Sequence, residues 1–250
     1  MIVFSDFDNT LHPHADEAGF RRNLEKIREF RGKGNLFCIA TGRSQASLGR
    51  TWPDYEDYLD YGIFDNGAVC WDQRGELVFQ EAISVRIARE IVQRITDKFS
   101  DEVQLVFYHD AKEWQELDQD VTKVRCWTKD VVVSQAVCDA VKAEYDGEVQ
   151  SFVARAAVMS SLGWIEYPEE YVSFVDMMSV RAGKYNAVRR LLEKYPGERV
   201  VTIGDDTNDL EMIRGFDGYV MQDSAPEVLE IVKPGHVVGS VGEVLERETE

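Results

Sequence analysis

The chain has 250 residues, of which 46 are Asp or Glu and 28 are Lys or Arg, so its formal charge is −18. A surface this acidic repels polyanions, so nucleic acid and anionic membranes are not expected as partners. Apolar residues make up 44 % of the chain, which excludes a disordered composition. The length predicts one domain with a large insertion, or two modest domains.

No stretch of the sequence has the composition of a membrane span or a secretory leader. There is no run of 18 or more apolar residues, and the first residues lack a basic segment followed by an apolar run and a small-residue cleavage site. We therefore expect a cytoplasmic protein. The four cysteines form no CxxC pair, and they are expected to be reduced structural thiols.

The first part of the chain alternates short apolar runs with amphipathic segments, as βαβ units do. Hydrophobic periodicity predicts a strand at 1–5, a helix at 19–31 and strands at 35–40 and 62–64. The middle, from 82 to 176, has a different order of elements. It predicts an inserted α+β domain, with helices at 83–99 and 134–145 and strands at 103–108, 122–127 and 149–154.

The last part returns to the alternating pattern, with a helix at 184–194, a strand at 199–203, a helix at 209–214 and short strands at 219–221 and 236–238. The predicted fold class is therefore α/β. A Rossmann-like, doubly wound parallel sheet is built from residues 1–81 and 177–250, and the α+β domain is inserted between these two parts.

Acidic residues follow two of the predicted strands directly. Asp6 and Asp8 come after the first strand, and Asp205 and Asp209 come after the strand at 199–203. Ligands of open α/β sheets collect at the carboxyl ends of the strands, so these side chains are expected to meet. Four such carboxylates repel one another by about 4 kcal/mol per pair at ~4 Å and an effective dielectric near 20. Mg²⁺ is the cation that such hard oxygen ligands favour.

Two further segments favour phosphate. Thr41 and Gly42 follow the strand at 35–40 and offer a hydroxyl and close backbone approach to an anion, although Thr41 taken alone is more typical of a helix N-cap. Lys184 opens a predicted helix, where free N–H groups already attract anions. Taken alone, Lys184 is more typical of a solvated surface lysine.

In order and spacing, these segments resemble the motifs of the haloacid dehalogenase-like superfamily, and more closely its Cof-type, sugar-phosphatase-like branch, whose cap is inserted between the second and third motifs. The resemblance spans nearly the whole chain. The matching segments are Asp6-Phe7-Asp8-Asn9-Thr10-Leu11, Thr41, Lys184, Gly204-Asp205-Asp206-Thr207-Asn208-Asp209 and, as a branch feature, Asp65-Asn66-Gly67-Ala68. Asn9 stands where the family usually has Gly.

The resemblance implies a Mg²⁺-dependent phosphatase that acts through an aspartyl-phosphate. Asp6 would be the nucleophile and Asp8 the general acid and base. The phosphate would be bound by Thr41, Gly42, Lys184 and Asn208. The metal would be held by Asp6, the backbone carbonyl of Asp8, Asp205 and Asp209, the last of these directly or through water. Residues 82–176 would be the cap.

The expected substrate is a small phosphorylated metabolite, most simply a sugar phosphate. Two alternatives stay open: a phosphomutase of the phosphomannomutase type, which uses the same intermediate, and a non-catalytic phosphate- or Mg²⁺-binding module. The sequence also leaves open homo-oligomer formation, the roles of His12 and His14, and the cap contacts. Candidate cap contacts are Trp114, Trp127, Trp164 and Arg155, although aromatic residues of a small domain more often build its core.

Overall fold

The computed structural model describes residues 1–109, 112–114, 116–155 and 170–249, with the backbone alone at Arg155. The chain divides into two compact units. The first contains residues 1–43, 48–79 and 183–250, and the second contains residues 44–47 and 80–182.

The strands of the described residues form two sheets. In chain order they are β1 (Ile2–Ser5), β2 (Leu36–Ala40), β3 (Tyr61–Phe64), β4 (Val69–Asp72), β5 (Leu77–Gln80), β6 (Val103–His109), β7 (Lys112–Trp114), β8 (Lys123–Thr128), β9 (Val149–Arg155), β10 (Ser173–Ser179), β11 (Val200–Gly204), β12 (Asp217–Met221) and β13 (Val237–Val238).

The helices of the described residues are α1 (Glu17–Gly32), α2 (Gln45–Thr51), α3 (Val85–Phe99), α4 (Val131–Glu144), α5 (Lys184–Leu192), α6 (Leu210–Gly215), α7 (Pro226–Leu229) and α8 (Val241–Arg247). None of them is both long and apolar enough to cross a lipid bilayer. Local capping supports several of the helix starts. The Asp16 carboxylate accepts the Gly19 N–H at the start of α1, and Ser84 and Asp130 cap α3 and α4.

The first unit is built on an eight-stranded sheet with the order β13-β12-β11-β1-β2-β3-β4-β5. Strands β13 to β3 run parallel, and β4 is antiparallel to β3. Strand β1 lies at the centre, where Ile2, Val3 and Phe4 are at most 1 % exposed, as expected of a strand covered on both faces. The predicted α/β class with a parallel-sheet core is confirmed. The carboxyl ends of β1, β2 and β11 therefore lie side by side.

The second unit contains a five-stranded antiparallel sheet with the order β7-β6-β8-β10-β9. Buried residues of α3, α4, β8 and β10 form its hydrophobic core, among them Ile91, Val137, Val124 and Met177. The predicted boundary at residue 176 falls inside β10, which pairs with β9 from Ser173 to Ser179. Strand β10 was not predicted, because the charged Asp176 interrupts its apolar run.

The four cysteines Cys38, Cys70, Cys126 and Cys138 are free and buried in the two cores. Burial raises the pKa of Cys70 to about 12, against the nearby positive charge of Lys194, and it also raises the pKa of Cys126 to about 12. Thiols with such high pKa values carry little thiolate at neutral pH and behave as small hydrophobic groups.

Candidate active site

Lys184 lies between two carboxylates at the carboxyl edge of the parallel sheet. It is the first residue of α5, it is 2 % exposed, and its Nζ lies 2.7 Å from Oδ1 of Asp6 and 2.7 Å from Oδ1 of Asp209. Asp6 is the residue directly after β1. Lys184 is therefore not a solvated surface lysine, and it joins residues that are 178 and 25 positions away in the sequence.

Asp209 organises the loop after β11 from the inside. Its side chain is fully buried, and its Oδ2 accepts the backbone N–H of Asp205 at 3.2 Å and that of Asp206 at 3.3 Å. Glycine at 204 makes room for this carboxylate, since a Cβ at that position would come within 2.5 Å of Asp209 Cγ. Both carboxylate oxygens of Asp209 therefore accept hydrogen bonds from donors within the protein.

Thr10 holds the other acidic residue of this loop. Its hydroxyl is fully buried and donates to Oδ1 of Asp205 over 2.7 Å, across 195 positions of sequence. Thr10 belongs to the first motif, but it was not among the predicted site residues. Local periodicity cannot reveal such a contact, because its partner lies on another strand of the sheet.

Asp6, Asp205 and Asp209 form the carboxylate cluster of the first unit. Their side chains are buried, and one oxygen of each lies within 4.8 Å of the others. Lys184 supplies one positive charge against three carboxyl groups, so the cluster has a formal net charge of −2 when all three are ionised. The structure thus brings together three of the four predicted metal-binding residues.

The pKa values of the cluster are raised by burial first and by the neighbouring carboxylates second. Burial and the charge of Asp6 raise the pKa of Asp205 to about 8, although the Thr10 hydrogen bond acts in the other direction. Burial also raises the pKa of Asp209 to about 6, and that of Asp6 above its usual range, against the opposing effect of Lys184. Burial lowers the pKa of Lys184, but Asp209 and Asp6 outweigh it and the net shift is upward. Excess negative charge among oxygen ligands fits a divalent cation such as Mg²⁺.

The side chain of Asp8 is held by Arg43 and is not part of the carboxylate cluster. Arg43 Nη2 lies 2.7 Å from Oδ1 of Asp8 and Nε lies 2.8 Å from Oδ2, a bidentate pair. Arg43 is 8 % exposed, packs over the Phe7 ring at 5.2 Å, and donates to the Thr51 hydroxyl at 2.7 Å. Arg43 was not predicted as a site residue, because one sequence does not show which carboxylate an arginine contacts.

The loop after Asp8 explains the unusual residue at position 9. Asn9 adopts a φ of 57°, in the left-handed region that glycine enters most easily and Asn better than most residues. The next residues turn back, with His12 N–H donating to the Phe7 carbonyl at 2.8 Å. The His12 ring packs on Phe20 at 4.5 Å, whereas His14 is exposed. Within the described residues, neither histidine belongs to the carboxylate cluster.

The four predicted phosphate-binding residues divide into two groups. Lys184 lies in the cluster already described. Thr41 is fully buried, and its Oγ1 accepts the backbone N–H of Arg43 at 3.1 Å. A Cβ at Gly42 would meet Oδ1 of Asn66 at 3.0 Å, and the same Oδ1 accepts Nδ2–H of the exposed Asn208 at 3.1 Å. Asn66, with a φ of 51°, therefore lies close to Gly42 and hydrogen-bonds Asn208.

The sequence profile of the haloacid dehalogenase-like hydrolases matches residues 3–241. The chain belongs to this family. The resemblance seen in the motifs is thereby confirmed, and so is the prediction of a hydrolase.

Several solved structures share the fold of this haloacid dehalogenase-like hydrolase at low sequence identity. A haloacid dehalogenase-like hydrolase from Bacteroides thetaiotaomicron is 17 % identical, with a TM-score of 0.77 over 99 % of this chain and 98 % of that one. A HAD/COF-like hydrolase from Plasmodium vivax is 19 % identical, with a TM-score of 0.75 over 99 % and 95 %. A subclass IIB sugar phosphatase is 16 % identical, with a TM-score of 0.71 over 99 % and 98 %.

Two of the candidate cap contacts, Trp127 and Trp114, are described residues of the second unit. Trp127 is 6 % exposed and packs with Phe174 at a ring distance of 5.0 Å, so it belongs to a core. Trp114 is 42 % exposed, and its indole N–H donates to Asp118 at 3.1 Å. Trp164 and the side chain of Arg155 lie outside the described residues.

Proposed function

We propose that this chain is a Mg²⁺-dependent phosphatase that hydrolyses small phosphate monoesters through an aspartyl-phosphate on Asp6. One observation carries the proposal. A buried lysine lies 2.7 Å from Asp6, inside a carboxylate cluster that is still short of positive charge. Such a site offers a nucleophile and a cation for phosphate, and its residual negative charge fits a divalent ion.

In the first step, a carboxylate oxygen of Asp6 attacks phosphorus, and the bond from phosphorus to the leaving alkoxide breaks. Lys184 orients Asp6 by holding its Oδ1, and its ammonium offsets charge on the phosphoryl oxygens. Asp8 gives a proton to the alkoxide. The bidentate contact with Arg43 then holds the resulting Asp8 carboxylate in place for its role as a base in the second step, so we assign Arg43 as a positioning residue.

In the second step, water attacks the phosphorus of the aspartyl-phosphate. The carboxylate of Asp8 takes the proton of this water, the bond to Asp6 breaks, and inorganic phosphate leaves with the Asp6 carboxylate restored. Thr41, Gly42 and Asn208 are assigned to the phosphate oxygens, and Asn66 positions Asn208 through its side-chain Oδ1.

Asp6 and Asp205 would hold the Mg²⁺, together with the backbone carbonyl of Asp8. When bound, Mg²⁺ would neutralise charge on the phosphoryl group and keep the nearby carboxylates ionised. Asp209 is assigned an indirect role, because both of its oxygens already accept hydrogen bonds from Lys184 and from backbone N–H groups. It would reach the metal through water and hold the loop that presents Asp205.

We propose a sugar phosphate as the substrate, since one protein of the same fold is named a sugar phosphatase. The second unit, residues 80–182 in its main segment, is proposed as the cap that selects the leaving group. In enzymes with such a cap, closure excludes water from the reaction, and cap motion can limit the turnover rate.

A panel of phosphorylated metabolites, assayed for phosphate release with and without Mg²⁺, tests the proposal. We expect release from at least one sugar phosphate, loss of activity with EDTA and recovery on adding Mg²⁺. Mass spectrometry of a quenched reaction should find a phosphate-sized increase on the peptide that contains Asp6. Exchange between hexose phosphate isomers without phosphate release would instead indicate a phosphomutase. Activity that is indifferent to EDTA would contradict the metal assignment.

A further inference from the structure

Ser224 lies in a loop that contacts the backbone of Asp205, and its buried hydroxyl has no hydrogen-bond partner among the described residues. The residue is 7 % exposed, and its Oγ is buried without a hydrogen-bond partner in the described part of the chain. A buried hydroxyl without a partner is unfavourable and uncommon in folded proteins. It is therefore a candidate to contact something that binds at this place.

The position of Ser224 follows from the sheet. The residue belongs to the loop after β12, and β12 runs parallel to β11, so this loop and Asp205 lie at the same edge. The N–H of Ala225 donates to the Asp205 carbonyl at 2.9 Å, and the N–H of Ser224 itself donates to the Met221 carbonyl at 3.1 Å. The backbone around Ser224 is therefore fixed directly against the residue that is assigned to the metal.

A local structural role for the hydroxyl is not supported by its contacts. A serine at this point would most often cap a helix. The N-cap of α7 is however Ala225, which follows Ser224, and no side chain caps that helix. The contrast with Ser5, whose Oγ donates to the Asp6 carbonyl at 2.7 Å, shows that a buried serine near the cluster can find a partner.

We propose that Ser224 is a positioning residue for the metal site, and that its hydroxyl hydrogen-bonds a water molecule in the coordination shell of the divalent ion. Mg²⁺ usually keeps several waters, and these need oriented partners from the protein. The inference rests on the proposed function. The proposal assigns a role to the loop 222–225, which lies outside all of the matched motifs. This loop connects β12 to the site through its hydrogen bond with Asp205.

Titration of Mg²⁺ into the metal-free full chain, measured by calorimetry, tests the role of Ser224. We expect Ser224→Ala to raise the Kd for Mg²⁺ about 10-fold or more, the usual effect of losing an outer-shell partner. Because the hydroxyl has no partner in the protein, the same variant should keep or slightly raise the thermal midpoint of the metal-free chain. Weaker metal binding without loss of stability is the signature that a merely structural role would not give.

Ser151→Ala is the matched control. Ser151 is 2 % exposed, but its Oγ donates to the Cys138 carbonyl at 3.2 Å in the second unit. This variant should lower the thermal midpoint and leave the Kd for Mg²⁺ unchanged. A wild-type Kd in Ser224→Ala, with clear binding by the wild-type chain, overturns the role of Ser224 and leaves the proposed function standing. Absence of Mg²⁺ binding by the wild-type chain overturns both.

Discussion

Each of the two units buries charged side chains. The ratio of carboxylates to cations differs between the two sets, and this ratio distinguishes a structural ion pair from a candidate metal site. In the second unit, Arg125 and Asp176 form a bidentate pair with both N···O distances at 2.7 Å. Lys123 is buried in the same unit, packs over the Tyr108 ring at 4.3 Å and adds a further positive charge that acts on Asp176. In the first unit, Lys184 faces three carboxylates.

The pKa shifts express the same difference. Burial raises the pKa of Asp176, but Arg125 outweighs this effect and the net shift is downward. In the cluster, burial and like charge prevail, and the pKa of Asp205 rises to about 8. Asp176 therefore faces enough buried positive charge to stay ionised, whereas the cluster has more carboxylates than cations and has room for a further cation. An excess of buried carboxylates over cations, more than burial itself, therefore distinguishes the candidate metal site from the structural ion pair.

The largest effect is expected from Asp6→Asn. This variant should lower kcat by about 10³-fold or more, because it removes the proposed nucleophile in a nearly isosteric change. The metal-free chain should be as stable as the wild type or more so, since one charge leaves a cluster with excess negative charge. Steady-state kinetics and thermal unfolding of the metal-free chain measure the two effects. Full activity in this variant would rule out the assignment of Asp6.

Arg43→Met should lower kcat by about 10²-fold, the lower range for losing general acid and base catalysis, because Asp8 is no longer held. Arg43→Lys should recover part of this loss, since an ammonium keeps the charge but not the bidentate geometry. The Kd for Mg²⁺ from calorimetry serves as the control and should change little. Equal kcat in all three proteins would show that the orientation of Asp8 does not depend on Arg43.

Asp176→Asn should have the opposite effect on stability to Asp6→Asn. Removal of one partner leaves the Arg125 charge buried and uncompensated, which costs about 3 kcal/mol. Urea unfolding followed by tryptophan fluorescence measures this loss. The double variant Arg125→Met with Asp176→Leu should recover most of it, since apolar side chains often replace a buried pair without net cost. If Asp176→Asn has the same free energy of unfolding as the wild type, the expected difference in stability between this variant and Asp6→Asn is contradicted.

The smallest effect is a pH dependence of stability that comes from the same pair. The pKa of Asp176 is lower in the folded chain than in the unfolded chain, so the folded state binds fewer protons in the acid range. The pair therefore stabilises the fold above a pH of about 4 and loses this contribution as the pH falls further. The free energy of unfolding at several pH values, compared between the wild type and the double variant, should show a smaller acid loss in the variant. If the free energy of unfolding falls equally with pH in the wild type and the double variant, the Arg125–Asp176 pair is not the origin of the acid loss.

The sequence alone determined the fold class and most residues of the carboxylate cluster. Strands β1 and β11 were recognisable because their apolar runs are short and bounded, and Asp6 and Asp205 follow them directly. Because neighbouring parallel strands end at the same edge of the sheet, the residues after their carboxyl ends come together. For this reason the prediction that Asp6, Asp205 and Asp209 meet could be made from local patterns and one topological rule.

Only the tertiary structure decided which side chains pair with which. Asp8 contacts Arg43 across 35 positions, Thr10 contacts Asp205 across 195, and Asn66 contacts Asn208 across 142. The lone hydroxyl of Ser224 is visible only once its neighbours are known. Hydrogen bonds depend on distances of about 3 Å and on donor direction, and periodicity gives a residue's face on a strand or helix but not the atoms that surround it.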